Sequence, residues 1–413
     1  MPPRRTLQFV LMGPTVDEKL APGTWFAGTG RPAEGAVWPR PDQELLLHAA
    51  LSRGDEAVAA WRRWADEVDL DALDPGAGQI LPLAYRNLVD QGVQDERLAA
   101  LKRRYAFTWA QNQRMFRMLG GILRLLHAAG IETLVFKGAA LVPLYYRDGG
   151  VRGMGDVDVL VRPERFHEAA RALGEAGWGT HFWSPELFDT RFEHALAFFD
   201  AADNSVDLHC HLLMACCERD ADLDFWEASR PLQVDGMTTR TLCATDHLVQ
   251  ACVHGLNWVR VPPIRWVADA ITVLRAAPDD IDWDRLELLA REREIALPTG
   301  AALAYLNRAF ATPVPDETMR RLEAIPVSRG DRLRFGVWME NARGRPLALI
   351  LHHWAMFSRG VRGAGPLERV HGLRDYLRFW AHTDRVWKVP VVLTQKGLRV
   401  VGHRLGLYRY WDA

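Results

Sequence analysis

No apolar run in this sequence of 413 residues approaches the length of about 18 residues that marks a membrane-spanning helix. The first residues, MPPRRTLQFVLMGPTVDEK, contain two arginines. Their apolar run of about six residues is too short for the apolar core of a signal peptide. We therefore expect no membrane span, and the 48% apolar and 25% charged residues are typical of a globular protein.

Cysteine is scarce as well. The five cysteines show no framework spacing, and the adjacent Cys216 and Cys217 are poorly placed to pair with each other. This usage does not fit a disulfide scaffold and favours a reducing compartment. We expect a cytoplasmic protein.

An excess of one charge is also absent, because 51 Lys and Arg against 52 Asp and Glu leave a formal net charge of -1. The overall charge therefore gives no argument for binding nucleic acid or a membrane. From Arg329 to the C-terminus, however, sixteen Lys and Arg face six Asp and Glu. This basic part predicts either an acidic or polyanionic partner or an arginine-rich solvated face on helices.

The pattern of apolar residues divides the chain into four parts. Pro and Gly are frequent in residues 1–40, which we expect to be irregular. Apolar residues at three- and four-residue steps predict helices in 41–130 and in 244–413. Residues 131–243 alternate short apolar strands with short helices. We predict an α+β fold, with a small central unit flanked by an N-terminal helical region and a C-terminal helical domain.

Glycines leave one helical segment ambiguous and mark a turn elsewhere. Residues 96–129 predict either one long helix or two helices broken at Gly120-Gly121. Residues 234–242, which contain Asp235-Gly236, are typical of a β-hairpin.

Two aspartates stand at the start of an apolar strand in residues 135–161, VFKGAALVPLYYRDGGVRGMGDVDVLV. Asp156 and Asp158 occupy positions i and i+2, so that both carboxylates point to the same face of the strand. Such carboxylates repel each other unless a cation or a shared proton lies between them. A divalent metal resolves that repulsion, and Mg²⁺ with a nucleotide phosphate is the commonest chemistry of this kind.

Other polar residues converge on these aspartates. Lys137-Gly138 follows a strand and begins a helix, where backbone N–H groups and the lysine charge suit a phosphate. Arg152, in a glycine-rich loop, is able to pair with phosphate oxygens. In the later strand SVDLHCH, alternation places Asp207, His209 and His211 on one face, and Asp207 supplies a further carboxylate.

This combination resembles the nucleotidyltransferase superfamily of the polymerase-β type. More narrowly, it resembles an uncharacterised bacterial group with the pattern K-G-x2-L, then R-x3-D-x-D-x-L-V, then V-D-L-H. These elements are residues 137–141, 152–161 and 206–209 of this chain. Abortive-infection nucleotidyltransferases share a similar pattern. The resemblance covers roughly residues 125–212, with a looser match over 244–275, and implies a small mixed-sheet nucleotidyltransferase core.

The resemblance implies transfer of a nucleoside monophosphate from an NTP, such as ATP, to a hydroxyl or phosphate acceptor, with Mg²⁺ or Mn²⁺ as cofactor. The acceptor would be a small molecule, a peptide, a protein side chain or a tRNA end. The implied catalytic and metal-binding residues are Asp156, Asp158 and Asp207. The implied nucleotide-binding residues are Lys137, Gly138, Arg152 and His209. The chain departs from the superfamily at Lys137-Gly138-Ala139, where a Gly-Gly or Gly-Ser turn is usual.

Alternative interpretations stay open for these residues. A catalytically inactive nucleotide-binding or scaffolding protein of the same fold would keep the pattern without the reaction. His209 and His211 form an H-x-H pair that also suits a zinc hydrolase. Otherwise His209 orients Asp207 or contacts the substrate. Arg265 and Asp269, four residues apart on a predicted helix, favour a structural salt bridge, with closure of that helix over the nucleotide as the alternative.

Overall fold

The computed structural model describes residues 38–70, 72–181, 184–214, 216–218, 220–257, 264–339, 346–392 and 394. Most of the segment predicted to be irregular, residues 1–40, lies outside the described residues. The end of the basic C-terminal part also lies outside them.

The N-terminal part is helical: α1 (Pro41–Leu51), α2 (Gly54–Glu67), α3 (Pro75–Asp90) and α4 (Leu98–Ala128). Helix α3 begins where its sequence predicts, because Asp74 accepts a hydrogen bond from the Ala77 amide and Pro75 occupies the first turn. Its first turn forms part of the candidate site.

Helix α4 is one continuous helix of 31 residues, so the chain does not break at Gly120-Gly121. A Cβ atom at Gly120 would lie 2.3 Å from Oδ2 of Asp235, whereas one at Gly121 would meet nothing within 4 Å. Gly120 thus allows the turn at Asp235 to pack closely against the helix, and it does not break the helix.

The central part contains a six-stranded mixed sheet with short helices. Its elements are β1 (Leu134–Phe136), α5 (Gly138–Leu141), β2 (Asp156–Leu160), α6 (Phe166–Glu175), β3 (Ala195–Phe199), β4 (Ser205–His209), α7 (Leu223–Ala228), β5 (Arg230–Val234) and β6 (Met237–Thr241). The order in the sheet is β3-β4-β2-β1-β6-β5. Strands β1 and β2 are antiparallel, whereas β2 pairs with β4, and β1 with β6, in parallel.

The predicted hairpin has its turn at Asp235-Gly236, as the sequence indicates, but its first strand begins earlier, at Arg230. Pro231 obscures this strand in the sequence because proline cannot donate to a ladder of hydrogen bonds. Strand β5 lies at the edge of the sheet, where that missing donor is tolerated.

The chain after the sheet is helical. Its helices are α8 (Ala244–Asn257), α9 (Arg265–Ala276), α10 (Trp283–Glu292), α11 (Ala296–Phe310), α12 (Asp316–Ala324), α13 (Arg329–Met339), α14 (Pro346–Gly360) and α15 (Pro366–Ala381). Helices on both sides of a mixed sheet confirm the predicted α+β class. Within the described ranges, no helix is long and apolar enough to cross a membrane.

The sheet separates two hydrophobic cores. Val135, Val159 and Leu208 point to one face, where they pack with residues of α4 and α6. Leu134 and Leu160 point to the other face, which packs in a larger core with residues of α1, α3, α8 and α9. Polar side chains interrupt this second face, and the cavity described below lies there.

Candidate active site

Aspartates from two neighbouring strands lie side by side. The parallel register of β2 and β4 pairs Asp158 with Asp207. Asp156 lies two residues before Asp158 and so shares its face of the sheet. The intervening residues, Val157 and Val206, are fully buried on the opposite face. Strand alternation, set by burial of the valines, therefore brings together all three carboxylates that the sequence predicts.

Lys137 reaches into this group. Its Nζ donates to Oδ1 of Asp158 at 2.6 Å, and the exposed fractions of the two side chains are 17% and 3%. The backbone of Lys137 has a φ of 48°, in the left-handed region that side chains other than glycine rarely adopt. Such strain persists where the surroundings impose it, commonly at functional sites. The lysine thus lies against the carboxylates at the start of α5.

His209 also bonds Asp158. Its Nε2 lies 3.0 Å from Oδ1 of Asp158, and its ring lies edge-on to Phe136. Burial lowers the pKa of His209 to about 4, so that the imidazole is neutral at pH 7 and Nε2 donates its proton to the carboxylate. The prediction that His209 orients Asp207 is wrong. The register places His209 opposite Leu160, and from there its ring reaches Asp158 diagonally.

His211 does not join the cluster, because it lies beyond the end of β4. Its Nδ1 bonds Asp222 at 2.7 Å, and its Nε2 bonds the Thr190 carbonyl at 2.9 Å. With both ring nitrogens engaged, the H-x-H pair is divided, and His211 cannot act as a zinc ligand beside His209 without breaking these bonds.

The carboxylates carry more negative charge than Lys137 neutralises. Burial, together with the charges of Asp158 and Asp156, raises the pKa of Asp207 to about 7. Burial and the charge of Asp158 also raise the pKa of Asp156. Burial alone would raise the pKa of Asp158, but Lys137 and the hydrogen bond from His209 outweigh it and hold that pKa below its ordinary value. The site thus favours a further proton or a cation.

Arg152 is largely engaged by a buried ion pair. Its Nε and Nη2 donate to the two carboxylate oxygens of Asp269 at 2.8 and 2.9 Å, and the Tyr146 hydroxyl donates to the same carboxylate. The predicted phosphate role is therefore restricted to Nη1. A Cβ atom at Gly138 would lie 2.3 Å from that nitrogen, which accounts for the glycine.

Arg265 has a different partner from the one that its spacing in the sequence predicts. The predicted salt bridge to Asp269 does not form, because Asp269 pairs with Arg152. The Nη1 of Arg265 instead donates to the Gly153 carbonyl at 3.2 Å. Burial and the neighbouring Arg152 lower the pKa of Arg265. A half-buried guanidinium without its own carboxylate suits an anionic ligand.

A cavity of about 320 Å³ unites these groups. Its sheet side is formed by Lys137, Arg152, Asp156 and Asp207. Its helical side comes from α3, α8 and α9, whose lining residues are Pro75, Gly76, Gln79, Gln250, Ala251, His254, Arg265, Trp266 and Asp269. Nothing in the local sequence distinguishes Gln79 and Gln250 from other helical residues, so neither was predicted.

The described residues also include a candidate metal cluster. Ligand atoms of Asp158, Asp207 and His209 all lie within 4.8 Å of one another. Lys137 and His209 both approach Oδ1 of Asp158, which leaves Oδ2 of that carboxylate for another ligand. Carboxylate oxygens are the donors that Mg²⁺ and Mn²⁺ prefer.

Comparisons with known proteins address the same region. Residues 77–311 match the family described as "Uncharacterised nucleotidyltransferase". No curated protein matches the chain. A crystal structure of an antigenic nucleotidyltransferase-like protein from Paracoccidioides brasiliensis is 13% identical, with a TM-score of 0.33, over 52% of this chain and 94% of that chain. That structural likeness is too weak to carry an argument.

Proposed function

The chain belongs to the uncharacterised nucleotidyltransferase family, and on that premise we propose that it transfers a nucleoside monophosphate from an NTP to a hydroxyl or phosphate acceptor. The observation that carries this proposal is the register of β2 and β4, which puts Asp156, Asp158 and Asp207 on one face. Lys137 and Arg265 complete the same cavity. Carboxylates for cations and cations for phosphates are the groups that this reaction needs.

The carboxylates fit Mg²⁺ or Mn²⁺ as cofactor. Asp156, Asp207 and Oδ2 of Asp158 would hold the cation, and the repulsion that raises the pKa of Asp207 would be relieved. When bound, the cation supplies positive charge that polarises phosphoryl oxygens and makes a hydroxyl more acidic. The excess negative charge of the site is the structural support for this cofactor.

The triphosphate would lie against the cations of the cavity. Arg265 donates only to a backbone carbonyl among the described residues, and Nη1 of Arg152 faces Gly138. Both guanidinium groups are therefore able to meet phosphate oxygens. They would hold the α-phosphate toward the carboxylates and stabilise the negative charge of the departing pyrophosphate.

Asp207 would receive the proton of the acceptor hydroxyl. In the transfer, a bond forms between the acceptor oxygen and the α-phosphorus, and the bond between the α-phosphorus and the bridging oxygen breaks. Pyrophosphate leaves with the electron pair. Once a bound cation relieves the repulsion from Asp156 and Asp158, Asp207 would be ionised at neutral pH and able to accept that proton.

A nucleotide-binding protein without catalysis is the second candidate. The observation that favours it is the contact between Lys137 and Asp158, because the ammonium donates to a carboxylate oxygen that would otherwise be able to bind a metal. Under this hypothesis the NTP binds, but pyrophosphate is not released.

Two measurements test the proposal. Each NTP with Mg²⁺ should raise the melting temperature of the protein, and Asp156→Ala with Asp158→Ala should abolish that rise. Pyrophosphate release and transfer of label from an α-labelled NTP to an acceptor in cell extract should then require Asp207. Asp203→Asn, on an exposed turn with a positive φ that asparagine tolerates, is the matched control. Binding without label transfer would leave only the second candidate.

A further inference from the structure

A second cavity adjoins the candidate active site. It has a volume of about 590 Å³ and lies between α3 and α4. Gln79 and Arg265 line both cavities, and Gly153, Met154 and Gly155 line the second one immediately before Asp156. A molecule in the second cavity would therefore extend toward the carboxylates.

Two exposed arginines add to the positive charge that Arg265 gives this cavity. Arg103 and Arg104 line it from consecutive positions of α4, and both side chains are exposed. Neither forms an ion pair with any residue in the described ranges. The guanidinium of Arg104 lies 3.9 Å from the position of a Cβ atom on Gly78, so it crosses the cleft toward the first turn of α3. This unbalanced positive charge favours an anionic ligand.

An exposed aromatic ring lies beside these cations. Phe107 is 71% exposed and lines the same cavity, one helical turn after Arg103 and Arg104. Residues three and four apart on a helix are neighbours at about 5–6 Å. Gln111 follows one turn later and fixes the helix to the loop by donating to the Met154 carbonyl at 2.8 Å. A planar apolar surface next to cations is the combination that binds a base and its phosphate.

We propose that this second cavity binds the acceptor, and that the acceptor is a nucleotide unit. Its base stacks on Phe107, its phosphate meets Arg103 and Arg104, and its hydroxyl points past Gly155 toward Asp207. This proposal rests on the proposed function, since it names the acceptor class of the same site. A free mononucleotide and the end of a single-stranded nucleic acid share this chemistry.

Binding without NTP tests the acceptor directly. A fluorescent single-stranded RNA decamer, labelled at its 5′ end, is titrated with full-length protein, and unlabelled mononucleotides and inorganic phosphate serve as competitors. The test variants are Arg103→Ala with Arg104→Ala, and Phe107→Ala. The matched controls are Lys102→Ala and Trp109→Ala, which change exposed residues of the same helix that do not line this cavity. Trp109 is 50% exposed and lines a different cavity, so its replacement tests the loss of an exposed aromatic ring of α4 outside the proposed acceptor site.

The test variants should weaken binding on the order of tenfold, whereas the controls should stay within about twofold of the unchanged protein. Because both arginines meet one phosphate, their loss should also lower the slope of log affinity against log salt by roughly 0.7. Competition by mononucleotides would identify the free nucleotide as the source, and binding of the decamer without such competition would identify a nucleic-acid end.

Stabilisation by NTP with Mg²⁺ is measured on the same variants and should be unchanged. If that stabilisation is retained while neither the decamer nor any mononucleotide binds, the acceptor proposal is overturned and the proposed function stands. Equal affinities of the test and control variants would overturn it as well. If NTP with Mg²⁺ fails to stabilise even the unchanged protein, the proposed function itself is overturned.

Discussion

The ammonium of Lys137 lies 2.6 Å from Oδ1 of Asp158, and this partly buried contact shapes the electrostatics of the candidate site. It keeps Asp158 ionised but leaves Asp156 and Asp207 without a hydrogen-bond donor among the described residues. Burial and the charges of the neighbouring carboxylates therefore raise the pKa values of these two aspartates. Protons or a divalent cation compete for this charge.

Asp207→Asn should change how stability depends on pH. The native protein keeps a proton on Asp207 up to about pH 7, whereas the unfolded chain releases it near the ordinary value of 3.8. The stability of the unchanged protein therefore falls relative to the variant as pH rises through this window. The melting temperature of the variant minus that of the unchanged protein should therefore increase from pH 5 to pH 7 and then level off.

Buried neutral histidines act in the opposite direction. Burial lowers the pKa of His209 to about 4 and that of His247 to about 3, so folding is favoured as pH rises from these values to 6.5. They are present in both proteins, so the difference in melting temperature isolates Asp207. A difference that stays constant from pH 5 to pH 8 would contradict the raised pKa. With Mg²⁺, the stabilisation of the unchanged protein should grow from pH 6 to pH 8, because the cation displaces the proton.

Arg265→Ala should weaken NTP binding. The guanidinium faces the cavity without its own carboxylate, and a charged hydrogen bond to phosphate contributes about 1.5–3 kcal/mol, roughly a tenfold to hundredfold change in affinity. The dissociation constant is measured by calorimetry with Mg²⁺ present. Arg275→Ala, at the other end of α9 and outside this cavity, should leave the constant unchanged. Equal losses in both variants would indicate damage to the helix rather than a lost phosphate contact.

Asp269→Ala should destabilise the fold strongly. It leaves Arg152 buried without its counter-charge and removes the acceptor of the Tyr146 hydroxyl. The expected loss in free energy of unfolding is about 3–5 kcal/mol, measured by urea titration. The double variant Arg152→Met with Asp269→Leu should lose less than Asp269→Ala alone, because it buries no unpaired charge. A larger loss in the double variant would show that the pair stabilises more than its separate burial costs.

Gly120→Ala and Gly121→Ala should have opposite effects, although the two residues are adjacent in α4. A Cβ atom at position 120 would collide with Asp235, which should cost about 1–3 kcal/mol. A Cβ atom at position 121 meets nothing within 4 Å, so alanine should stabilise the helix by up to about 1 kcal/mol. Thermal unfolding of both variants measures this. Equal destabilisation would mean that the helix needs both glycines for a reason other than the contact with Asp235.

Local pattern was enough to predict the carboxylate face. A strand alternates its side chains with a period fixed by backbone geometry, so buried Val157 and Val159 force Asp156 and Asp158 to the other face. The same argument applies to Asp207 in β4. The α+β class follows from similar periodicities, and the family match over residues 77–311 confirms the predicted nucleotidyltransferase resemblance.

The choice of partners was decided by tertiary structure. Arg265 and Asp269 stand at the spacing of a helical salt bridge, yet Asp269 pairs with Arg152, which is 117 residues away in sequence. A bidentate pair in a buried position is stronger than an exposed pair along one helix, so packing overrides the local pattern.

By itself, the sequence determined which residues alternate, where helices begin and which motif holds the carboxylates, because these depend on contacts within a few residues. Only the tertiary structure decided which cation lacks a carboxylate, that α4 continues through Gly120, and that Arg103, Arg104 and Phe107 line a cavity next to Asp156. These features depend on how α3, α4 and α9 pack against the sheet, and no pattern local to one segment contains that information.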